Sequence, residues 1–235
     1  MFRIKTILTV IMITVICHAA TAQTEAEKYL QSGSGKYKKG DINGAIADIN
    51  QAIKLNPNYS GAYYSLGIIY FETGNPDKAM ANLEKAVKLQ PKIAEAYYLR
   101  GNIYFSKQNF KDAMTDMNSA IALKPGFVMA YYYRAMIKHS QKDFTAAIAD
   151  YSKAIELAPN FTEAYLYRGL ASAYASKEIQ AINDFTKVIE LNPENVEAYK
   201  WRAVCELKTS DYKTAITDMD KVLKTNKNDA ECYYS

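Results

Sequence analysis

Five of the chain's six prolines stand 34 residues apart: Pro57, Pro91, Pro125, Pro159 and Pro193. Only Pro76 falls outside the series. Each of the five follows a segment that ends like a helix, as in Lys54-Leu55-Asn56-Pro57, Lys88-Leu89-Gln90-Pro91 and Glu190-Leu191-Asn192-Pro193. Proline has no N–H to continue a helix, so placed just past a helix end it stops that helix. A chain punctuated at this interval repeats one short supersecondary unit, and a domain count from its 235 residues would mislead.

Other residues fall into columns at the same period. Tyr29, Tyr63, Tyr97, Tyr131, Tyr165 and Tyr199 form one. Four residues later comes a small residue: Gly33, Gly67, Gly101, Ala135, Gly169 and Ala203. After a turn such as Gly40-Asp41 or Gly74-Asn75, an alanine recurs at 45, 79, 113, 147, 181 and 215, followed by a bulky residue and another small one. In the fourth unit these are Ala147, Tyr151 and Ala154. Spacings of three, four and seven mark one face of a helix and not a strand. Each unit is therefore two helices and a turn.

This layout resembles the tetratricopeptide repeat, whose 34-residue helix pair carries the same aromatic, Gly, Ala and Pro pattern. The resemblance implies an all-α fold: an α-solenoid of about six tandem helix-turn-helix repeats forming a right-handed superhelix, its first helices lining a concave groove. The array occupies 23–229, with repeats at about 26–59, 60–93, 94–127, 128–161, 162–195 and 196–229. Ser32-Gly33-Ser34-Gly35 are poor helix formers, which predicts a frayed first helix. Lys227 takes the place of the sixth proline, and residues 230–235 restart a seventh, incomplete repeat.

Residues 1–22 read as a secretory signal peptide: Arg3 and Lys5, then an uncharged apolar run from Thr6 to Ile16, then Ala20-Thr21-Ala22 before cleavage after about Ala22. The run is too short to span a bilayer, and no other segment is long and apolar enough. Ile16 before Cys17 argues against lipid attachment. The expectation is an exported protein, periplasmic in a Gram-negative bacterium or extracellular. Removal of the leader takes Lys plus Arg from 29 to 27 against 25 acidic residues. A balance near neutral does not drive nucleic-acid binding.

Catalytic and metal chemistry fail on inventory. With His18 in the leader, His139 is the single histidine left, which supplies neither a metal cluster nor a visible Ser–His arrangement. Gly33-Ser34-Gly35-Lys36 is not a phosphate loop, because Leu30 stands at the first glycine's place and Tyr37 where Ser or Thr should follow. The chain reads as a non-enzyme without a cofactor. Cys205 and Cys232 remain after cleavage, in neighbouring first helices at different heights, and read as buried thiols in preference to a disulfide.

Two constellations remain. Arg100, Arg134, Arg168 and Arg202 precede the small residue of their first helices, while Asp116, Asp150, Asp184 and Asp218 precede the bulky residue of the second. The second repeat lacks both, with Leu66 and Asn82, so the columns change together and read as internal ion pairs, not as a row of anion-binding arginines. The first repeat has Asp48 opposite Ser32.

The other constellation is what the resemblance places in the groove: Tyr64, Ile68, Phe71, Tyr98, Asn102, Phe105, Met129, Tyr132, Met136, His139, Leu166, Leu170, Lys200 and Val204. Glu163, Ala173 and Leu207 join them, with Tyr133, Tyr167, Tyr174 and Trp201 near the edge. So apolar a set suits a peptide or a partner helix, whereas the places that lysines and asparagines fill in a carboxylate clamp are mostly Tyr, Ile, Met and Leu, with Asn102 the only matching amide. The bland alternative is that these rings only pack against the next repeat. The functional expectation is a scaffold that binds a protein or peptide. The alternatives are an envelope-assembly subunit self-associating through its C-terminal repeat, or a glycan or small-ligand binder.

Overall fold

The computed structural model describes Thr21 and residues 23–225. Apart from Thr21, the expected leader and its cleavage site lie outside the described residues, as do Lys227, Cys232 and the start of a seventh repeat. Among the described residues all regular structure is helical: α1 (23–38), α2 (Ile42–Leu55), α3 (Ser60–Glu72), α4 (Pro76–Leu89), α5 (Ala94–Ser106), α6 (Phe110–Leu123), α7 (Val128–Ser140), α8 (Phe144–Leu157), α9 (Thr162–Tyr174), α10 (Glu178–Leu191), α11 (Val196–Lys208) and α12 (Tyr212–Thr225). The array divides into two compact units, residues 1–107 and 108–235. The division falls in the turn between α5 and α6.

Every first helix is left in the same way. Gly40, Gly74, Gln108, Lys142, Ser176 and Ser210, again 34 apart, have φ between 55° and 83°. The residue after this left-handed position reaches back to the helix: Asp143 N–H donates to the Lys138 carbonyl at 2.9 Å and Lys177 N–H to that of Ser172 at 2.8 Å. This satisfies carbonyls that the helix end would otherwise orphan. Asp41, Asn109, Asp143 and Asp211 then accept a backbone N–H three residues on and cap the second helix.

Packing follows the columns. Ala45, Ala79, Ala113, Ala147, Ala181 and Ala215 are at most 1 % exposed, and Ile49, Leu83, Met117, Tyr151 and Phe185, four residues further on, are fully buried. In the first unit one core joins Ala45, Ile49, Leu66 and Ile69, and a second joins Leu83, Val87 and Ile103. In the second unit the cores gather around Tyr151 and around Phe185.

Contrary to the sequence expectation, α1 is helical through Ser32, Gly33, Ser34 and Gly35. The reason is tertiary. Gly33 lies so close to α2 that an added Cβ would sit 2.7 Å from Ile49 Cγ1, and Ser32 and Lys36 both bind Asp48. Packing overrides a weak local propensity.

Candidate partner-binding surface

In the first unit, Tyr64, Ile68 and Phe71 of α3 and Tyr98, Asn102 and Phe105 of α5 are all half-buried. The two helices contact each other, and Tyr64 and Phe71 rest on the core of Ala79, Leu83, Val87 and Ile103. Burial, with Glu95 nearby, pushes the Tyr64 hydroxyl above the usual tyrosine range. These side chains thus divide their area between core and solvent.

The second unit departs from expectation at four positions. Tyr132 is 8 % exposed, Leu166 9 %, Leu170 8 % and Ala173 8 %. Ring centroids of Tyr133, Tyr151, Phe161 and Tyr167 lie 5.6, 5.9, 4.9 and 6.1 Å from that of Tyr132. All four are core side chains: Tyr132 lies among rings from α7, α8, α9 and the turn before α9, and Leu166, Leu170 and Ala173 pack with Phe185 of α10. Met129, Met136, His139, Lys200 and Val204 remain half-buried.

What this unit does present is an aromatic patch. Phe144, at the start of α8, stacks on Tyr174, at the end of α9, with centroids 5.2 Å apart and planes at 18°. Trp201 of α11 meets Tyr174 edge-on at 5.7 Å, and His139 of α7 meets Phe144 at 5.2 Å and Tyr174 at 6.0 Å. Tyr174 is 54 % exposed. Sequence reasoning placed Tyr174 and Trp201 only at the edge and missed Phe144. The signal for it was the aromatic first residue of the second helix, shared with Phe110 and Tyr212. Burial lowers the pKa of His139 below the usual imidazole value, which keeps it neutral near pH 7. Its Nδ1 is buried without a hydrogen-bond partner. Elsewhere on the unit, Val128, Met129, Ala158, Pro159, Asn160 and Phe161 line a depression of about 510 Å³.

The arginine columns hold the helices together. Arg134 donates from Nε and Nη2 to the two oxygens of Asp150, both at 2.7 Å; Arg168 does the same to Asp184 and Arg202 to Asp218, all between 2.6 and 2.9 Å. Sequence reasoning missed a third partner. Nη1 reaches back to the second helix of the preceding repeat, to Asn118 Oδ1 at 2.7 Å, Ser152 Oγ at 3.0 Å and Thr186 Oγ1 at 3.0 Å. The guanidinium also lies over the column tyrosine, Tyr131, Tyr165 or Tyr199. Each arginine so ties three helices, spending a bond from each of its three nitrogens on the array itself. Burial raises the Asp184 pKa against the opposing pull of Arg168. Arg100 and Asp116 stand on opposite sides of the unit division, Arg100 over the ring of Tyr97 and Asp116 2 % exposed.

Among the described residues no group of His, Cys, Asp and Glu is arranged to hold a metal ion, and no helix is long and apolar enough to cross a membrane. Cys205 is a buried free thiol, its pKa pushed up to about 11 by burial.

Comparisons with known proteins agree with this architecture. Family models described as TPR repeat match residues 33–74 and 69–105, and models described as tetratricopeptide repeat match 94–127, 128–161 and 185–217. A comparison with curated proteins gave no match. Among solved structures, MamA is 31 % identical, with 74 % of this chain and 94 % of that one covered and a TM-score of 0.65. YrrB, described as a TPR protein with an unusual peptide-binding site, is 22 % identical over 79 % and 96 % of the two chains, with a TM-score of 0.73. PilW, described as a widely conserved type IV pilus biogenesis factor, is 18 % identical over 89 % and 97 %, with a TM-score of 0.69. Repeat period, helix pairing, family models and the MamA likeness agree: the chain belongs to the tetratricopeptide repeat family.

Proposed function

We propose that the chain is an exported scaffold that binds a peptide segment or helix of a partner protein, and that the second unit's aromatic patch anchors it. The observation that carries this reading is Tyr174, a large ring more than half exposed yet held in place by Phe144, Trp201 and His139. Aromatic side chains pre-ordered on a helical scaffold give large contact area at little entropic cost, the usual makeup of a binding hot spot. The half-buried Met129, Met136 and Val204 add adaptable apolar contacts. YrrB, with its peptide-binding site, and PilW, a type IV pilus biogenesis factor, supply precedents of the same fold for a peptide ligand and for a part in pilus biogenesis. Export rests on the leader at residues 1–22.

A photo-crosslinking residue tests the reading. Placed at Tyr174 or Met136 it is expected to capture a protein partner in cells, and at the exposed Lys111 or Asn183 to capture none. Equal capture at all four positions would refute a localised surface.

A second reading, stacking of copies through the last helix pair, has its own observation. Ile216 of α12 is 61 % exposed, whereas Ile148, at the same place in α8, is 7 % exposed beneath the next repeat. Light scattering on the purified chain separates the two, since a monomer at all concentrations removes the stacking version.

A further inference from the structure

Position 11 of the repeat sits one turn beyond the column arginine. In the first and fourth repeats it is a lysine, and both bind the column aspartate: Lys36 to Asp48 and Lys138 to Asp150, each at 2.7 Å. In the sixth repeat the column inverts its charge, because Glu206 stands there. Glu206 is 3 % exposed and shares its surroundings with a second carboxylate, Asp218 of α12, which is also 3 % exposed. One guanidinium serves both. Arg202 gives Nε and Nη2 to Asp218 at 2.7 Å and Nη1 to Thr186, so Glu206 Oε1 is left 3.6 Å from Nε. Glu206 Oε2 is buried with no hydrogen-bond partner.

Among the described residues, charged groups on the other packed elements give no relief. Asp211, in the turn before α12, adds a further negative charge. At the α10–α11 contact, Glu178 is bridged to Lys208 at 3.7 Å, so that lysine is already engaged. A buried carboxylate with one idle oxygen and two acidic neighbours is costly when ionised and much less so when protonated.

We propose that Glu206 is a proton-operated latch on the last helix pair: protonated, it lets α11 and α12 close on Arg202 and Asp218; ionised, it competes with Asp218 for that arginine and loosens the pair. Burial, then the Asp218 charge, raises the Glu206 pKa from 4.5 to about 7, with Arg202 opposing. The closed pair therefore holds the proton more tightly than the open pair does. Its stability is greatest in acid, falls as the pH rises from 4.5 toward about 7, and stays low above that. This device is independent of what occupies the aromatic patch. It would make α11 and α12 the first helices to loosen as the pH rises from acid to neutral.

Hydrogen exchange followed by mass spectrometry on the full chain tests it, with rates corrected for intrinsic pH dependence. Between pH 5.5 and 8.5, peptides of α11 and α12 are expected to lose about tenfold in protection, while peptides of α3 and α4, which carry no histidine, do not change. Glu206→Gln should abolish the pH dependence, and Glu206→Lys should give high protection throughout by restoring the bridge seen at Lys138. Carbon-detected NMR of the wild-type Glu206 carboxyl reads its titration directly, without a variant. A midpoint near 4.5, or the same loss of protection in Glu206→Gln, would overturn the proposal.

Discussion

At the residue scale, the most consequential side chains are those that combine burial with charge. Arg168 and Asp184 make a bidentate pair with side chains 17 % and 3 % exposed. Removing the arginine alone leaves a buried carboxylate without its counterion. Arg168→Leu is therefore expected to cost about 3–4 kcal/mol, and Arg168→Leu with Asp184→Leu markedly less, because the pair itself adds little beyond its own desolvation. Urea denaturation of the three proteins measures this. Equal losses in the single and double variants would mean that the pair is not the cause. Gly169 makes a different demand. A Cβ there would lie 2.7 Å from Cε1 of the fully buried Phe185 ring, so Gly169→Ala should destabilise by about 1–3 kcal/mol despite alanine's better helix propensity. A neutral or stabilising result in the same assay would show that the ring can move aside.

At this scale the sequence was legible where chemistry forces a partner and opaque where packing decides. Correlated loss of arginine and aspartate in the second repeat announced the ion pairs. The bond from Arg134 to Asn118 joins neighbouring repeats and follows no motif, since Asn118, Ser152 and Thr186 share only a small polar tip. The groove residues were the least legible. A ring such as Tyr132 can face solvent or lie under Phe161, and periodicity assigns the same face in both cases.

At the element scale, the repeat depends on its turns. Four of the six left-handed positions carry a non-glycine residue: Gln108, Lys142, Ser176 and Ser210. An L-residue costs roughly 1 kcal/mol in this conformation, and glycine escapes most of that cost. Lys142→Gly and Ser176→Gly should each raise the melting temperature by about 2–4 °C. No change would indicate that the side chains make compensating contacts. Gly40-Asp41 and Gly74-Asn75 marked the turns in the sequence, but the four non-glycine residues hid that the same backbone step recurs in every repeat. The first helix carries the converse lesson. Its serines and glycines predict fraying, yet Gly33 packs against α2 too tightly to admit a Cβ. Glycine there serves proximity, not flexibility.

At the scale of the whole molecule, the period of 34 settled the fold class and the helix order, because it encodes which faces must be buried between neighbours. Function is a property of what is left over once those faces are covered. In the second unit one such remainder is an aromatic patch of Phe144, Tyr174, Trp201 and His139, with Met136 on the same helix as His139. A surface of this kind binds through a few anchors, so truncating them should weaken binding without unfolding the array. The most direct measurement is calorimetric titration of a peptide, selected against the wild-type chain from a displayed random library, into wild type and into Tyr174→Ala/Met136→Ala. The account predicts at least tenfold weaker binding by a variant whose helicity and melting temperature match wild type. Unchanged affinity in such a variant would contradict it and place the partner surface elsewhere on the array.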